Sequence, residues 1–400
     1  MQNQFTESHF LQRLQESVTL EFARRSRELK AQGKDIISLS IGEPDFNTPD
    51  FVKEALKKAI DENYSHYPPV NGFLELRKAI SDKLSRENNL SYSPDEIVVS
   101  TGAKQCIANT LLALLNPEDE VIILAPYWVS YKQIVELTGA KVVELVGDIQ
   151  NDFIVSKEQL AEAVTDKTKL IMYSSPSNPA GAIYTEEQLR GFAEIIASQE
   201  NLWVLSDEIY EYITYGEKCF SIGSIPEVRD RVITINGLSK GYAMTGYRLG
   251  YMAAPLPLAK ACSKIQGQFT SGTNAATQIG AIAAIQQGSK GLDDMVKTFE
   301  SRKYLLKKEL SEIPGFVTND PKGAFYLFAN IEAYKETADG AVKFTDTSKL
   351  CIHILENYGV AMVPGEAFGM PWHVRLSYAS SEKDLLEAAK RLKQAFANFK

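Results

Sequence analysis

The sequence predicts an α/β fold with a mostly parallel central sheet flanked by helices. Three observations lead to this prediction. Short apolar runs rich in Val and Ile recur along the chain without polar alternation, which is typical of strands buried on both faces. Helical segments lie between several of these runs, as parallel strands require. The C-terminal quarter then changes in character and predicts a smaller α+β unit.

Six strands are predicted for the central sheet. They are EIVVS (96–100), VIILAP (121–126), KVVELV (141–146), KLIMYSS (169–175), LWVLS (202–206) and VITIN (232–236). A predicted helix between two of them, residues 185–200, begins with Thr185 followed by two glutamates. A threonine cap and acidic residues in the first turn are favourable at a helix N-terminus.

Two domains are expected from the 400 residues. The C-terminal part contains a long charged helix near 290–312, then GAFYLFANI (323–331), HVRLSYA (373–379) and a closing amphipathic helix. The N-terminal segment has one predicted helix (17–32) and no sheet of its own. We therefore expect a large domain at 49–298, and a small α+β domain formed by 1–48 together with 299–400.

Composition argues against several classes of partner and site. The net charge of −8 shows no basic excess, so no nucleic-acid partner is expected. No apolar run approaches the ~20 residues of a membrane helix, and the N-terminus does not resemble a signal peptide. The histidines lack ligand spacing, so no metal site is expected. The four cysteines contain no C-x-x-C pair, which favours reduced thiols and a cytoplasmic location.

Polar and aromatic residues follow the predicted strands at their carboxyl ends, which is where open α/β sheets bind ligands. Because parallel strands end at the same edge, we expect these residues to converge into one site. They are Thr101 to Lys104, Pro126 to Trp128, Asn178, Asp207 with Tyr210, and Ser239 with Lys240.

The stretch NGLSKGYAM (236–244) supports two different chemistries. Residues 237–241 match G-x-S-x-G, the nucleophile elbow of serine hydrolases. That elbow needs a helix directly after it, whereas GYAMTGYRLGYMAAP is broken by Gly246 and leads into a strand-like stretch. No HGGG-like segment for an oxyanion hole is present either. The alternative is that the Lys240 amine is the reacting group. A desolvated lysine beside other cations has a lowered pKa and can form an imine.

Pyridoxal phosphate is the cofactor that uses such a lysine, and the sequence offers a partner for each part of it. A helix N-terminus and a guanidinium suit the phosphate, an acid suits the ring nitrogen, and an aromatic face suits the ring. Taken singly, each candidate has an ordinary structural explanation, but their joint occurrence predicts this cofactor. The candidates are Gly102 and Ala103 with Arg248 for the phosphate, Asp207 for the ring nitrogen, Asn178 and Tyr210 for the phenolic oxygen, and Trp128 for stacking.

The chain resembles the class I aminotransferases of the pyridoxal-phosphate fold type I group, and most of all their bacterial aspartate aminotransferase branch. The resemblance runs from about residue 17 to the C-terminus. Its motifs are GEPDF (42–46), YPPVNG (67–72), STGAKQ (100–105), PYWVSY (126–131), SPSNPAGAIY (175–184), SDEIYE (206–211), SKGYAMTGYRLGY (239–251), GAFY (323–326), VPGEAFG (363–369) and HVRLSYA (373–379).

The resemblance implies a role for each site residue. Lys240 forms the Schiff base and moves the proton between the substrate Cα and the cofactor, and Tyr67 reaches the phosphate of the other subunit, so a homodimer is expected. Arg375 binds the substrate α-carboxylate, aided by the Gly42 backbone. The implied cofactor contacts are Lys240, Gly102, Ala103, Lys104, Trp128, Asn178, Asp207, Tyr210, Ser239, Arg248 and Tyr67. The implied substrate contacts are Gly42, Lys104, Trp128, Asn178, Arg375, Ser17 and Thr19.

The resemblance also implies a substrate class. In this branch a lysine at the position of Lys104 binds the side-chain carboxylate of aspartate or glutamate, and Ser17 and Thr19 belong to a segment that closes over substrate. Relatives that use prephenate tend to carry Lys-Pro before that serine, whereas this chain has Gln15 and Glu16, which argues against prephenate. We expect aspartate and 2-oxoglutarate as the substrate pair. An aromatic, alanine or prephenate-type aminotransferase, or a lyase of the same fold, is the alternative.

Overall fold

A twisted sheet of seven strands forms the centre of the described part of the chain. The computed structural model describes residues 6–8, 11–14 and 18–400. In spatial order the sheet is β2-β8-β7-β6-β5-β3-β4, and only β8 runs antiparallel to its neighbours. The strands are β2 Ile97–Ser100, β3 Glu120–Ala125, β4 Lys141–Val146, β5 Thr168–Ser174, β6 Trp203–Asp207, β7 Val232–Gly237 and β8 Gly250–Ala253.

Helices pack against this sheet and against the smaller sheets of the C-terminal part. Helix α7 begins as expected: the Thr185 side chain accepts a hydrogen bond from the backbone N–H of Gln188, whose side chain bonds back to the Thr185 N–H. The helices are α1 Val18–Ala31, α2 Asp50–Asp61, α3 Leu74–Asn88, α4 Ala103–Leu114, α5 Ser130–Thr138, α6 Lys157–Ala163, α7 Glu186–Ser198, α8 Leu256–Phe269, α9 Ala275–Gln287, α10 Asp293–Leu310, α11 Thr347–Tyr358 and α12 Glu382–Asn398.

The C-terminal part builds a second, antiparallel sheet of four strands from the described residues, in the order β14-β15-β10-β9. In its centre, β10 pairs with β15 so that Phe328 lies opposite Arg375 and Tyr326 opposite Ser377. The remaining strands are β1 Ile37–Ser38, β9 Val317–Thr318, β10 Tyr326–Asn330, β11 Ala338–Asp339, β12 Val342–Lys343, β13 Val360–Ala361, β14 Val363–Pro364 and β15 His373–Ser377.

The predicted fold class is confirmed, and each of the six predicted strands lies within one residue of its expected bounds. Their residues are buried in the centre of the sheet, whereas edge strand β4 is partly exposed. The N-terminal segment contributes one short strand, and its residues Ile37 and Ser38 pair in parallel with Val360 and Ala361 of the C-terminal part, a pairing that the sequence did not indicate. No helix in the described ranges combines the length and apolar character that a membrane span needs.

Candidate active site

A cavity of about 490 Å³ opens at the carboxyl edge of the seven-stranded sheet. Its wall is formed by the loops that follow the sheet strands, by one face of α1, by the loop after β1, and by β10 and β15. The sequence-predicted residues that line it are Thr19, Gly42, Ala103, Lys104, Trp128, Asn178, Asp207, Tyr210, Ser239, Lys240, Arg248 and Arg375.

Two predicted residues that the structure describes are not part of this wall, and a third is not described. Gly102 lies directly behind it, as the residue that precedes α4. Tyr67 is 95% exposed and lies away from the cavity of its own chain. Ser17 falls outside the described residues, as do Gln15 and Glu16.

Asp207 is the last residue of β6 and its carboxylate is enclosed at the bottom of the cavity. One carboxylate oxygen accepts a hydrogen bond from the Tyr131 hydroxyl at 2.6 Å, and the other accepts from the Ile209 N–H at 3.2 Å. Burial raises the pKa of Asp207 to about 6, although both hydrogen bonds oppose this rise. Within the described residues no cation lies at ion-pair distance, so the carboxylate would be stabilised by a positively charged group in the cavity.

Lys240 projects into the same cavity from the turn after β7. Its ammonium donates a hydrogen bond to the Gly42 carbonyl at 2.6 Å. Desolvation lowers the pKa of Lys240 to about 8, with Arg375 and Arg248 acting in the same direction and Glu43 opposing them. The neutral amine, which is the form that attacks a carbonyl carbon, is therefore more abundant near physiological pH than in an exposed lysine.

The N-terminus of α4 and Arg248 together form an anion-binding cradle. Helix α4 begins after Gly102, whose φ of 87° suits glycine, and the first-turn N–H groups of a helix have no intrahelical acceptor. A Cβ atom at Gly102 would lie 2.6 Å from a terminal nitrogen of Arg248, so the glycine allows the guanidinium to approach the helix end. Among the described side chains, Arg248 has no carboxylate partner.

Arg375 on β15 is a buried cation that forms no ion pair with the described carboxylates. It is 2% exposed, and it donates to the Asn178 side-chain oxygen at 3.0 Å and to the Ser40 carbonyl at 2.6 Å. Its Nε has no hydrogen-bond partner in the described structure, and burial lowers its pKa. Because burying an unpaired charge is costly, this arrangement favours an incoming carboxylate.

Lys104 and Trp128 form a neighbouring part of the wall. The Lys104 ammonium lies 4.9 Å from the centre of the Trp128 ring, at cation–π distance. Desolvation within the cavity lowers the pKa of Lys104, and Arg248 acts in the same direction. Trp128 packs edge-on against Tyr131 and also lines the cavity.

Several lining residues were missed at the sequence level. Tyr131 and Tyr326 lie inside quoted motifs but received no role, because their partners are distant in sequence. Thr245 donates a hydrogen bond to Glu43, which ties the segment after Lys240 to the loop after β1. No local pattern indicates such contacts, since the two partners are 202 positions apart.

The segment after Ser239 does not support a nucleophile elbow. The chain continues from Ser239 as turns, then as a single 3₁₀ turn at Thr245–Tyr247, and enters β8. The helix that the elbow requires is therefore replaced by irregular structure in this part of the chain. No histidine is among the described residues that line the cavity.

The described residues fit pyridoxal phosphate. The cradle at α4 and Arg248 suits its phosphate, and the buried Asp207 suits a protonated ring nitrogen. The Lys240 amine, partly neutral near pH 7, suits its aldehyde. The cavity volume lies within the range of small-molecule sites, about 300–1,000 Å³.

Comparisons with known proteins agree with this geometry. The family model for aminotransferase class I and II matches residues 34–392. An aspartate aminotransferase of Bacillus subtilis is 43% identical, covering 94% of this chain and 95% of the relative. A probable aspartate/prephenate aminotransferase of Rhizobium leguminosarum is 42% identical, covering 96% of this chain and 97% of the relative.

A solved structure has the same architecture. The crystal structure of the aspartate aminotransferase from Rhizobium meliloti superposes with a TM-score of 0.95 at 36% identity, covering 99% of this chain and 100% of that one. The matched family model spans most of the chain and includes every element that forms the sheet edge described above. The chain belongs to the class I and II aminotransferase family.

Proposed function

We propose that this aminotransferase exchanges the amino group of aspartate with 2-oxoglutarate, giving oxaloacetate and glutamate. The observation that supports the pair best is the set of cations around one cavity. Arg375 is suited to the α-carboxylate that every substrate shares, and Lys104 is a second cation that would meet a side-chain carboxylate. The names of the relatives from Bacillus subtilis and Rhizobium also point to aspartate.

Class I aminotransferases use pyridoxal phosphate, which supplies an aldehyde that takes up amines and a ring that withdraws electrons from the substrate Cα. We propose that the α4 N-terminus and Arg248 hold the phosphate, and that Asp207 keeps a proton on the ring nitrogen. Tyr210 and Asn178 would bond the phenolic oxygen. Trp128 would lie against the ring.

Lys240 is proposed to have two tasks. Its amine would hold the cofactor through the cofactor aldehyde until substrate replaces it, and the freed amine would then move the proton from the substrate Cα to the cofactor carbon. A general base works best when its pKa lies near the working pH. The lowered pKa of Lys240, to about 8, therefore suits both tasks.

Substitution of Lys104 by alanine tests the proposed substrate class. We expect kcat/KM for aspartate and glutamate to fall by about 10- to 100-fold, because a charge pair in a desolvated cavity contributes far more than an exposed pair. Activity toward phenylalanine or alanine should change little. The measurement is steady-state kcat/KM for each donor at a fixed concentration of 2-oxoglutarate.

Lys141→Ala is the matched control, because Lys141 is paired with Glu118 and lies outside the cavity wall. It should leave the ratio of aspartate to phenylalanine activity unchanged. A proportional loss for charged and uncharged donors in Lys104→Ala would remove Lys104 as the selector. A wild-type enzyme that prefers an uncharged donor would overturn the aspartate proposal while leaving the family assignment intact.

Prephenate belongs in the same panel of substrates, together with aromatic and alanine donors. The Rhizobium leguminosarum relative is named for both aspartate and prephenate, whereas the Bacillus subtilis relative is named for aspartate alone. We propose aspartate without prephenate, on the basis of Gln15 and Glu16. Amino transfer to prephenate at a rate comparable to oxaloacetate would contradict this choice.

We also propose a homodimer in which Tyr67 reaches the cofactor phosphate of the second copy. Its 95% exposure leaves the hydroxyl available to a neighbour, and Phe269 is an apolar side chain with 71% exposure. Light scattering should give twice the chain mass of 44.4 kDa. Tyr67→Phe should weaken cofactor binding about tenfold by loss of a hydrogen bond to a charged group, with unchanged mass. A monomer in solution, or unaltered cofactor affinity, would count against this role.

A division into a large domain at 49–298 and a small domain at 1–48 with 299–400 is proposed on the composition of the core. Two clusters of buried side chains use only residues between Val52 and Leu292. Another cluster joins residues from Phe22 to Leu39 with residues from Met295 to Phe399, and adds Tyr210, Ile213 and Tyr215.

A cytoplasmic location is proposed on the four unpaired thiols, three of which are buried.

A further inference from the structure

Tyr326 is part of the cavity wall and contacts two proposed binding groups, Tyr210 and Arg375. It begins β10 and is completely buried. In the antiparallel pair of β10 and β15, Tyr326 lies opposite Ser377, which is two residues from Arg375. Side chains at such diagonal positions share a face of the sheet. The Arg375 guanidinium accordingly lies 4.6 Å from the centre of the Tyr326 ring.

The hydroxyl group of Tyr326 makes a second connection. It lies 2.8 Å from the hydroxyl of Tyr210, and either oxygen could donate. Burial raises the pKa of both phenols, so both keep their protons at neutral pH. Two protons are therefore available, and only one of them can lie between the two oxygens.

A third contact brings the same hydroxyl close to the loop after β1. A Cβ atom built on Gly42 would lie 2.8 Å from the Tyr326 oxygen. Any larger residue at position 42 would therefore displace the tyrosine. The Gly42 carbonyl is also the acceptor for the Lys240 ammonium, so Tyr326 packs against the backbone that holds the lysine.

We propose that Tyr326 is a positioning residue. Its hydroxyl donates a hydrogen bond to the Tyr210 hydroxyl, and its ring packs against the Arg375 guanidinium. This inference rests on the proposed roles of Tyr210 and Arg375. If the Tyr210 hydroxyl uses its single hydrogen to donate a hydrogen bond to the phenolic oxygen of the cofactor, then Tyr326 must be the donor in the hydrogen bond between Tyr326 and Tyr210. A hydroxyl that accepts a hydrogen bond becomes a stronger donor itself, so Tyr326 strengthens the bond from Tyr210.

The electrostatic surroundings of the two phenols come from several elements. Arg375 faces both from β15, and the Lys240 ammonium lies 6.0 Å from the centre of the Tyr210 ring. Asp207 acts on Tyr210 from the end of β6, and Tyr378 lies beyond Tyr326. Replacing the Tyr326 hydroxyl leaves all of these charges in place, so a changed titration would report the lost hydrogen bond.

Two substitutions separate the hydroxyl from the ring. In Tyr326→Phe we expect the pH midpoint of the bound cofactor's absorbance change to rise by roughly 0.3–1 pH unit. The reason is that a weaker donor leaves more negative charge on the phenolic oxygen, which then holds the ionisable proton of the bound cofactor more tightly. KM for all amino donors should remain close to wild type, because the ring still lies against Arg375.

In Tyr326→Leu the ring is lost as well. We expect the same rise in the midpoint, and in addition a KM increase of roughly 5- to 30-fold for aspartate, glutamate and phenylalanine alike, since all present an α-carboxylate. Tyr210→Phe is the reference, and it should raise the midpoint more than Tyr326→Phe. Both measurements use the holoenzyme, with folding checked by circular dichroism.

The outcomes are distinguishable. A normal midpoint in Tyr326→Phe, with a raised midpoint in Tyr210→Phe, would overturn the inference and leave the role of Tyr210 intact. A normal midpoint in both variants would remove the proposed role of Tyr210. If KM in Tyr326→Phe rose by roughly 5- to 30-fold, the ring alone would not position Arg375, and the separate roles of ring and hydroxyl would be contradicted. This outcome is informative even if the leucine variant does not fold.

Discussion

Replacing Lys240 by alanine should reduce turnover by about 10²- to 10⁴-fold, the range that a positioned acid–base group contributes, or by more because covalent attachment is lost too. The protein should still fold and bind pyridoxal phosphate through the cradle at α4 and Arg248. Borohydride reduction followed by peptide mass spectrometry should place the cofactor on Lys240 in the wild type. In the variant the cofactor should be removable by filtration after unfolding.

Ser239→Ala provides the comparison for Lys240→Ala. It should cost much less activity, since the serine adjoins the lysine without replacing its amine. A serine hydrolase would show the opposite ranking. Near-native transamination by Lys240→Ala, or covalent attachment at another lysine, would contradict the assignment.

Asp207→Asn should lower turnover by about 100- to 1000-fold, the loss typical for one preorganised electrostatic contact to the reacting group. An amide cannot hold a proton on the ring nitrogen of the cofactor, because it carries no compensating charge. Cofactor affinity should fall much less than turnover, since the phosphate contacts remain. The rate at which the Cα hydrogen of the substrate exchanges with deuterium from the solvent, measured after rapid mixing, would show whether proton removal is the slowed step. Equal exchange rates in variant and wild type would exclude this role.

The same substitution should stabilise the cofactor-free protein at high pH. The folded-state pKa of Asp207 is raised to about 6 from an ordinary value of 3.8. The folded protein therefore holds a proton that the unfolded chain has released, and stability falls as pH rises through this window. Above it, the buried charge costs roughly 2–3 kcal/mol, a cost that asparagine avoids.

Urea unfolding of the cofactor-free protein provides the test. Asp207→Asn should be more stable than wild type at pH 8, and the difference should shrink toward pH 4, where the native carboxyl is neutral. Asp230→Asn is the control, because Asp230 is an exposed residue whose replacement should show no such trend. A pH-independent difference for Asp207→Asn would show that folding does not raise the pKa of Asp207, and a variant less stable than wild type at pH 8 would show that the lost hydrogen bonds outweigh the buried charge.

Much of the fold could be predicted because local composition and burial agree along the central strands. Runs such as 121–126 and 232–236 are rich in Val and Ile and are buried on both faces, as expected in the interior of a helix-covered sheet. The two-residue pairing of β1 with β13 escaped prediction, since its partners are more than 300 positions apart and neither strand has room for a pattern.

The part of the candidate site that lies on the seven-stranded sheet could be predicted better than the part that lies on the C-terminal sheet. Residues at strand ends, such as Asp207 and Lys240, occupy positions that the topology itself brings to one edge. Arg375 and Tyr326 come from a different sheet, and only the resemblance indicated the arginine. The tyrosine pair, the Tyr131 bond to Asp207 and the Thr245 bond to Glu43 join residues whose spacing carries no period.

The sequence by itself determined the order of strands and helices, the polar residues at the strand ends, and the lysine that we propose as the reacting group. These follow from hydrophobic pattern and chain direction, which are local properties. Only the tertiary structure decided which groups remain charged or neutral, which hydroxyl meets which, and which cations lack an anion. Those properties depend on desolvation and on distances of a few ångströms between residues far apart in the chain. Burial, which lowers the pKa of Lys240 and raises that of Asp207, exists only once the chain has folded around the cavity.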